Sequence, residues 1–380
     1  MNYYRVRQHF PTQKLDSVAR SLRAELLHFP IPSGARIAIA VGSRGIANLP
    51  VIVDQVVAWV REHEAEPFIV PAMGSHGGGM EEGQQKILEG FGLTGIVSSM
   101  DVIQLGPDAF IDREAFQSDG IILINRVKPH TSFHGRYESG LMKMLAVGLS
   151  KQAGAAAIHR QGVAGLRERI PVVARHILAT GKILFGVAIV ENAYDETMLV
   201  RALSAQRIPE EEPALLDVAR ANLPSLPVES IDVLIVDEIG KEISGTGMDT
   251  NVIGRLRIAG ESEPASPRIQ RIVVRDLRGE SAYGIGLADV TTRRLVEKAD
   301  WKVTETNVQT SGFIERGKIP HVVDTDEQAV DWALQAGSRV VRVKNTLHLE
   351  TLIVSEVVRK EIEGRDTIKV LGPANLWDAL

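Results

Sequence analysis

RIAIAVGSRGIANLPVIVDQVVAWVREHEAEPFIVPAMGSHGGG, residues 36 to 79, reads as strand, loop, helix, strand and glycine-rich loop. RIAIAV (36 to 41) and PFIVPA (67 to 72) are apolar runs bounded by Gly or Pro, the pattern of strands buried on both faces. Between them PVIVDQVVAWVREH (50 to 63) carries apolar residues at helical spacing, with Pro50 suited to a first helical turn. A strand, helix, strand unit implies a parallel sheet with covering helices. DVIQL (101 to 105) and GIILI (120 to 124) extend the strand series, and KILFGVAIVE (182 to 191) follows the helical stretch 165 to 181. LPSLPVESI (223 to 231), with two prolines, separates an acidic helix from the new strand DVLIVDEIG (232 to 240), and strand-like and helix-like patterns then alternate again. The expectation is a chain of two α/β domains with mostly parallel sheets and an active-site cleft between them. The first domain spans 1–225 and carries the chemistry, the second spans 232–365, and the tail 366–380 returns to the first.

At 380 residues and 44% hydrophobic content the chain can bury two cores. A net charge of -5 gives no broad cationic surface for a phosphate backbone, so nucleic acid is not an expected partner. No apolar run approaches membrane-spanning length and the amino terminus lacks a signal core, which predicts a cytoplasmic protein without a membrane partner. The chain has no cysteine, which removes disulfides, thiolate metal sites and cysteine nucleophiles together. Any metal must use His, Asp, Glu or donor atoms brought by a cofactor.

Three segments carry candidate chemistry. VGSRGIANLP (41 to 50) puts Arg44 where a strand ends and a helix begins, the end of an α/β sheet at which ligands bind. There Arg44 is either a bidentate partner for a carboxylate or phosphate, or a surface arginine. AMGSHGGGMEEG (72 to 83) sets Ser75, His76, Gly77 and Gly78 in a loop whose backbone N–H groups can approach an anion. NRVKPHTSFHGRYESGLMKMLAVGLSKQAGAAAIHRQG (125 to 162) gathers His130, His134, Arg136, Lys143 and His159 among small residues. Lys143 interrupts an otherwise apolar helical run, so its amine either snorkels to solvent or acts away from bulk water.

Taken together, SRGIANLP, the GSHGGG loop, and VKPH followed by a lysine and then AAIH resemble the lactate racemase family, in the same order over most of the first domain. In that family a lysine and a histidine sixteen residues further on belong to the cofactor site, the spacing of Lys143 and His159 here. The resemblance implies a nickel-pincer nucleotide, a pyridinium-3-thioamide-5-thiocarboxylic acid mononucleotide, joined covalently to Lys143, with His159 as nickel ligand. It implies His76 and His130 as the two acid/base residues of a 2-hydroxy acid racemase or epimerase, and Arg44 at the substrate carboxylate. In the second domain Lys241 corresponds to a lysine directed at the substrate, with Asp249 and Asn251 as alternative matches. The implied partners are a small 2-hydroxy acid and the enzymes that assemble the cofactor, and an oligomer is compatible with the sequence.

Two departures stand out. The interval from His130 to Lys143 is longer than the family's and carries His134, Arg136, Tyr137 and Glu138, and Val41, Gly42 and Ser43 stand where the family has an acidic residue. A substrate more polar or longer than lactate, contacted by His134 and Arg136, is the consequence. Two rival readings remain open on sequence: a lyase or dehydratase with one divalent ion among His76, His130 and His159, and a non-catalytic nucleotide or metabolite sensor.

Overall fold

A computed structural model describes residues 1 to 42 and 45 to 380. The chain divides into a unit formed by Pro11–Leu223 and a unit formed by Met1–Phe10 with Pro224–Leu380.

In the Pro11–Leu223 unit the elements follow β1 (Tyr3–Gln8), which belongs to the other unit, in the order α1 (Val18–Leu26), β2 (Arg36–Val41), α2 (Leu49–Glu62), β3 (Glu66–Pro71), α3 (Glu81–Glu89), β4 (Val102–Gly106) and β5 (Ala109–Asp112). Then come α4 (Arg113–Gln117), β6 (Gly120–Arg126), α5 (Leu141–Lys143), α6 (Lys151–His159), α7 (Gly162–Leu178), β7 (Ile183–Glu191), β8 (Thr197–Ser204) and α8 (Ile208–Ala221). The main sheet has the order β3-β2-β6-β7-β8, parallel but for β8. Residues 37 to 41 of β2 are wholly buried, as a central strand of a covered parallel sheet requires. Leu49, Ile52, Val53, Val56 and Val60 form the stripe by which α2 covers it. From β2 the chain adds β3 on one side and later β6 on the other, so the topological switch point lies between β2 and β6, with Gly42 and Asn125 at its mouth.

In the other unit β9 (Ser230–Ile239), β10 (Arg268–Leu277), β11 (Val290–Thr292), β12 (His321–Val323), β13 (Val340–Val343), β14 (Thr351–Ser355) and β15 (Ile368–Ala374) join β1 in an eight-stranded sheet. Its order is β12-β11-β10-β9-β13-β14-β1-β15, parallel from β12 to β13 and antiparallel beyond.

Three expectations are corrected. The tail does not return to the first domain: β15 pairs with β1 inside the eight-stranded sheet, and Leu376, Trp377 and Leu380 pack against that sheet's core. Buried Arg342 donates to the carbonyls of Leu376 and Asp378 and anchors the tail there. The amino-terminal strand likewise leaves the first domain, because its backbone groups find their partners on β14 and β15. The run 101 to 105 is a strand, but it pairs antiparallel with β5 in a separate two-stranded sheet. Among the described residues no helix is long and apolar enough to cross a membrane.

Candidate functional site

The run holding Lys143 is less regular than its apolar pattern predicts. One turn of α-helix, α5, passes into a π-helical turn at Met144–Gly148, and α6 starts only at Lys151, whose φ is +53°. Single π turns and left-handed non-glycine residues carry a local cost and concentrate where geometry serves function. The side chain of Lys143 is partly buried among apolar neighbours, and this burial pushes its amine down to about 8. A large fraction is therefore neutral and nucleophilic at slightly alkaline pH.

His159 closes α6 and lies close enough to Lys143 for the lysine charge to act on it. Burial is the larger cause of its lowered pKa, and the Lys143 ammonium adds to it. Its Nδ1 sits 2.6 Å from the carbonyl of Ala155. A carbonyl only accepts, so Nδ1 carries the proton and Nε2 keeps its lone pair. This is how an outer partner prepares an imidazole to ligate a metal.

The His76 loop lies against this segment. The N–H of Gly74 donates to the carbonyl of Gly148 at 3.1 Å, and a Cβ on Gly74 would stand 3.7 Å from that of Ala155. Gly77, Gly78 and Gly79 have φ of +67°, +74° and +64°, a run of left-handed residues that few other side chains tolerate. Buried Gln84 supports the loop from within by donating to the carbonyls of Gly74 and His76. Ser75 is partly buried and the His76 side chain is exposed.

His130 follows β6. Its backbone N–H donates to Glu138 Oε2 at 2.6 Å, and the N–H of Ser132 donates to His130 Nδ1 at 3.0 Å. Nδ1 is thus an acceptor, and in the neutral ring the proton resides on Nε2. His130 and His159 are held in opposite tautomers by backbone partners two and four residues away in sequence. The interval beyond His130 is tied down from several sides. Glu138, fully buried, also accepts from Gly135 N–H, from Arg220 on α8 at 2.6 Å, and from His134. Burial raises the Glu138 pKa, but His134, the His130 amide and Arg220 outweigh it and leave the carboxyl below its ordinary value. Tyr137 donates to the carbonyl of Pro209 at 2.7 Å. The exposed side chains of His134 and Arg136 rest on this loop, His134 at Glu138 and Arg136 over the Tyr137 ring.

Arg44 lies outside the described residues. The loop around it is framed by Gly42, where a Cβ would stand 2.4 Å from Asn125 Oδ1, and by Gly45, near Arg126. Arg126 pairs with Glu191, which also accepts from the N–H of Ala47. Lys241 belongs to the other unit, where it pairs with Asn307 and lies 5.6 Å from the Tyr283 ring centre. Asp249 caps the short helix Thr250–Ile253 and binds Asn251.

Four supporting residues escape a reading for catalytic types. Asn125 donates to the carbonyl of Gly140 at 2.9 Å and ties the end of β6 to the start of α5. Glu212 accepts from the N–H of Met142 at 2.9 Å and caps α5 from a different helix. Lys151 and Asp112 form a buried ion pair at 3.0 Å, and Lys151 also donates to the carbonyl of Pro71. For Glu212 a signal existed: it falls on the apolar stripe of Ile208, Leu215, Leu216 and Ala219, where a solvent-facing glutamate would not sit.

Burial raises the Glu212 carboxyl to about 7, against the two backbone N–H groups that lower it. A raised folded value means that this group favours folding below its unfolded value and that the advantage fades as pH climbs through about 7. At about 1.4 kcal/mol per pH unit the whole effect is about 3 kcal/mol. Wild type is therefore expected to lose stability between about pH 4.5 and 7 relative to Glu212→Gln, measured by urea unfolding at each pH. Parallel profiles for the two proteins would show that the carboxyl does not titrate in this range.

The fold is that of a two-domain α/β protein with mostly parallel sheets. Among solved structures it is similar to the lactate racemase apoprotein from Thermoanaerobacterium thermosaccharolyticum, at 12% identity and a TM-score of 0.51, over 91% of this chain and 99% of that one. The fold is thus lactate-racemase-like. No family model matches the sequence, and no curated protein matches it.

Proposed function

We propose that this chain is an isomerase, a racemase or epimerase of a 2-hydroxy acid, working with a nickel-pincer nucleotide tethered to Lys143. One observation carries the reading: a lysine amine whose pKa burial lowers, near enough for its charge to act on an imidazole whose Nε2 keeps its lone pair. The donor set fits the group. Lys143 offers a neutral amine for an acyl-type link, and His159 Nε2 one ligand for nickel. The cofactor brings the soft sulfur that a cysteine-free chain lacks. Ser75, Gly77 and Gly78 are assigned to its anionic part through the loop's backbone.

When bound, the cofactor supplies a reversible acceptor for the Cα hydride of the substrate, so inversion is redox-neutral. The chain's own residues handle the hydroxyl proton, which leaves as the hydroxy acid becomes a keto acid and returns as it is re-formed. His130, with its ring proton on Nε2, is set to give a hydrogen bond to the substrate oxygen, and His76 is assigned to take the hydroxyl proton and, as imidazolium, to return it. Arg44 is assigned to the carboxylate. The exposed side chains of His134 and Arg136 are assigned to the additional polar groups of a substrate larger than lactate.

Among the described residues, which include His76, His130 and His159, no group of three His, Asp or Glu is gathered to hold a metal. This speaks against one divalent ion shared by the three histidines. The test is optical inversion by cofactor-loaded protein over a panel of single-enantiomer 2-hydroxy acids, including dicarboxylates and sugar acids. Inversion of a larger acid in preference to lactate is expected. Loaded protein inert towards the whole panel defeats the reading, and activity confined to lactate defeats the roles of His134 and Arg136.

A further inference from the structure

We propose that Glu138 is a positioning residue that holds His130 with its ring proton on Nε2, an inference that rests on reading His130 as a residue that touches the substrate oxygen. The carboxylate is fully buried, a placement that costs several kcal/mol unless donors surround it. They do. Oε2 takes the His130 N–H at 2.6 Å and lies 3.3 Å from His134 Nδ1, while Oε1 takes Arg220 Nη2 at 2.6 Å and the Gly135 N–H at 3.2 Å. Few surface loops are organised around a buried charge. This one is closed at its base by paired backbone bonds between Lys128 and Ser139, so Glu138 stands immediately inside the closure.

The consequence falls on the His130 ring. With its backbone N–H held by Glu138, His130 presents Nδ1 to the Ser132 N–H at 3.0 Å, and the ring packs on Phe133 at 4.6 Å between centroids. That contact puts the proton of the neutral ring on Nε2. Arg220 belongs to α8, so Glu138 links a helix to the position of the His130 ring. An amide in place of the carboxylate would turn an NH2 group towards existing donors, and the His130 amide and ring would lose their fixed register.

The test uses the full chain, uniformly labelled with 15N-histidine, and two-bond proton–nitrogen spectra that distinguish the tautomers. His130 is assigned among the ten histidines by the signal lost in His130→Gln. Wild type is expected to show His130 as the Nε2–H form, and Glu138→Gln to raise the Nδ1–H form from a trace to a comparable population. Arg220→Gln leaves Glu138 its backbone donors and gives a smaller shift in the same direction. It decides the matter if Glu138→Gln does not fold. A His130 pattern unchanged in the folded variants, or a wild-type ring protonated on Nδ1, overturns the proposal. A merely stabilising glutamate would lower the melting temperature and leave the tautomer alone. The readout needs no cofactor, so an unmodified Lys143 would defeat the proposed function without touching this result.

Discussion

Protein purified from a host that assembles the pincer cofactor is expected to contain a peptide Tyr137–Lys151 that trypsin leaves undivided at Lys143 and that carries added mass, with about one nickel per chain. The amine is made for such a link. Its pKa of about 8, against the ordinary lysine value above 10, comes from burial, so the neutral form is abundant near pH 8. The same property can be read in apo protein, where an amine-directed label should modify Lys143 with a half-maximal rate near pH 8. Lys143→Ala should lose added mass, nickel and at least on the order of 10³-fold in turnover, since removing a covalent anchor removes the site's function as a unit. A clean tryptic cut after Lys143 in active, nickel-bearing protein would sink the assignment.

Lys151→Met is expected to destabilise the Pro11–Leu223 unit by roughly 3 to 5 kcal/mol, the cost of stranding one partner of a buried ion pair. Asp112 and Lys151 are both buried, 3.0 Å apart, and burial opposes both charges, raising Asp112 and lowering Lys151. Asp112 also caps α4 through the Ala115 N–H, so it stays in place when its counter-charge is removed. Methionine matches the length of the lysine stem and meets the same left-handed backbone, which confines the effect to the ammonium, its ion pair and its bond to the Pro71 carbonyl. Adding Asp112→Asn to Lys151→Met should recover much of the loss. Urea unfolding of single and double variants checks both statements, and a single variant within about 1 kcal/mol of wild type would contradict the argument. The pair fixes the start of α6 to the ends of β3 and β5, so His159 at the far end should shift with it.

How much was legible can be judged element by element. The strands at 36–41 and 120–126 and the helix at 49–62 stand within one or two residues of their apolar patterns, since continuous apolar runs and 3.6-residue stripes are local consequences of burial. The antiparallel strand β8 and the π turn at Met144–Gly148 left no local signature, and the first domain's own boundary at Pro224 did not reveal that Met1–Phe10 crosses to the other unit. At the site, histidines among glycines at strand ends were visible as residue types. Their tautomers were not, because those depend on whether Ala155 O or Ser132 N stands beside Nδ1.

The sequence by itself determined the α/β class, the cysteine-free donor set and the placement of His76 and His130 on loops that follow strands, because hydrophobic periodicity and residue chemistry are carried by near neighbours in the chain. Only the tertiary structure decided which carboxylates are buried. Glu138 reads as an ordinary surface glutamate until Arg220 meets it from a distant position, and Glu212, marked in sequence only by its place on an apolar stripe, finds its partner in the first turn of α5; the energy of a charge depends on what surrounds it in space.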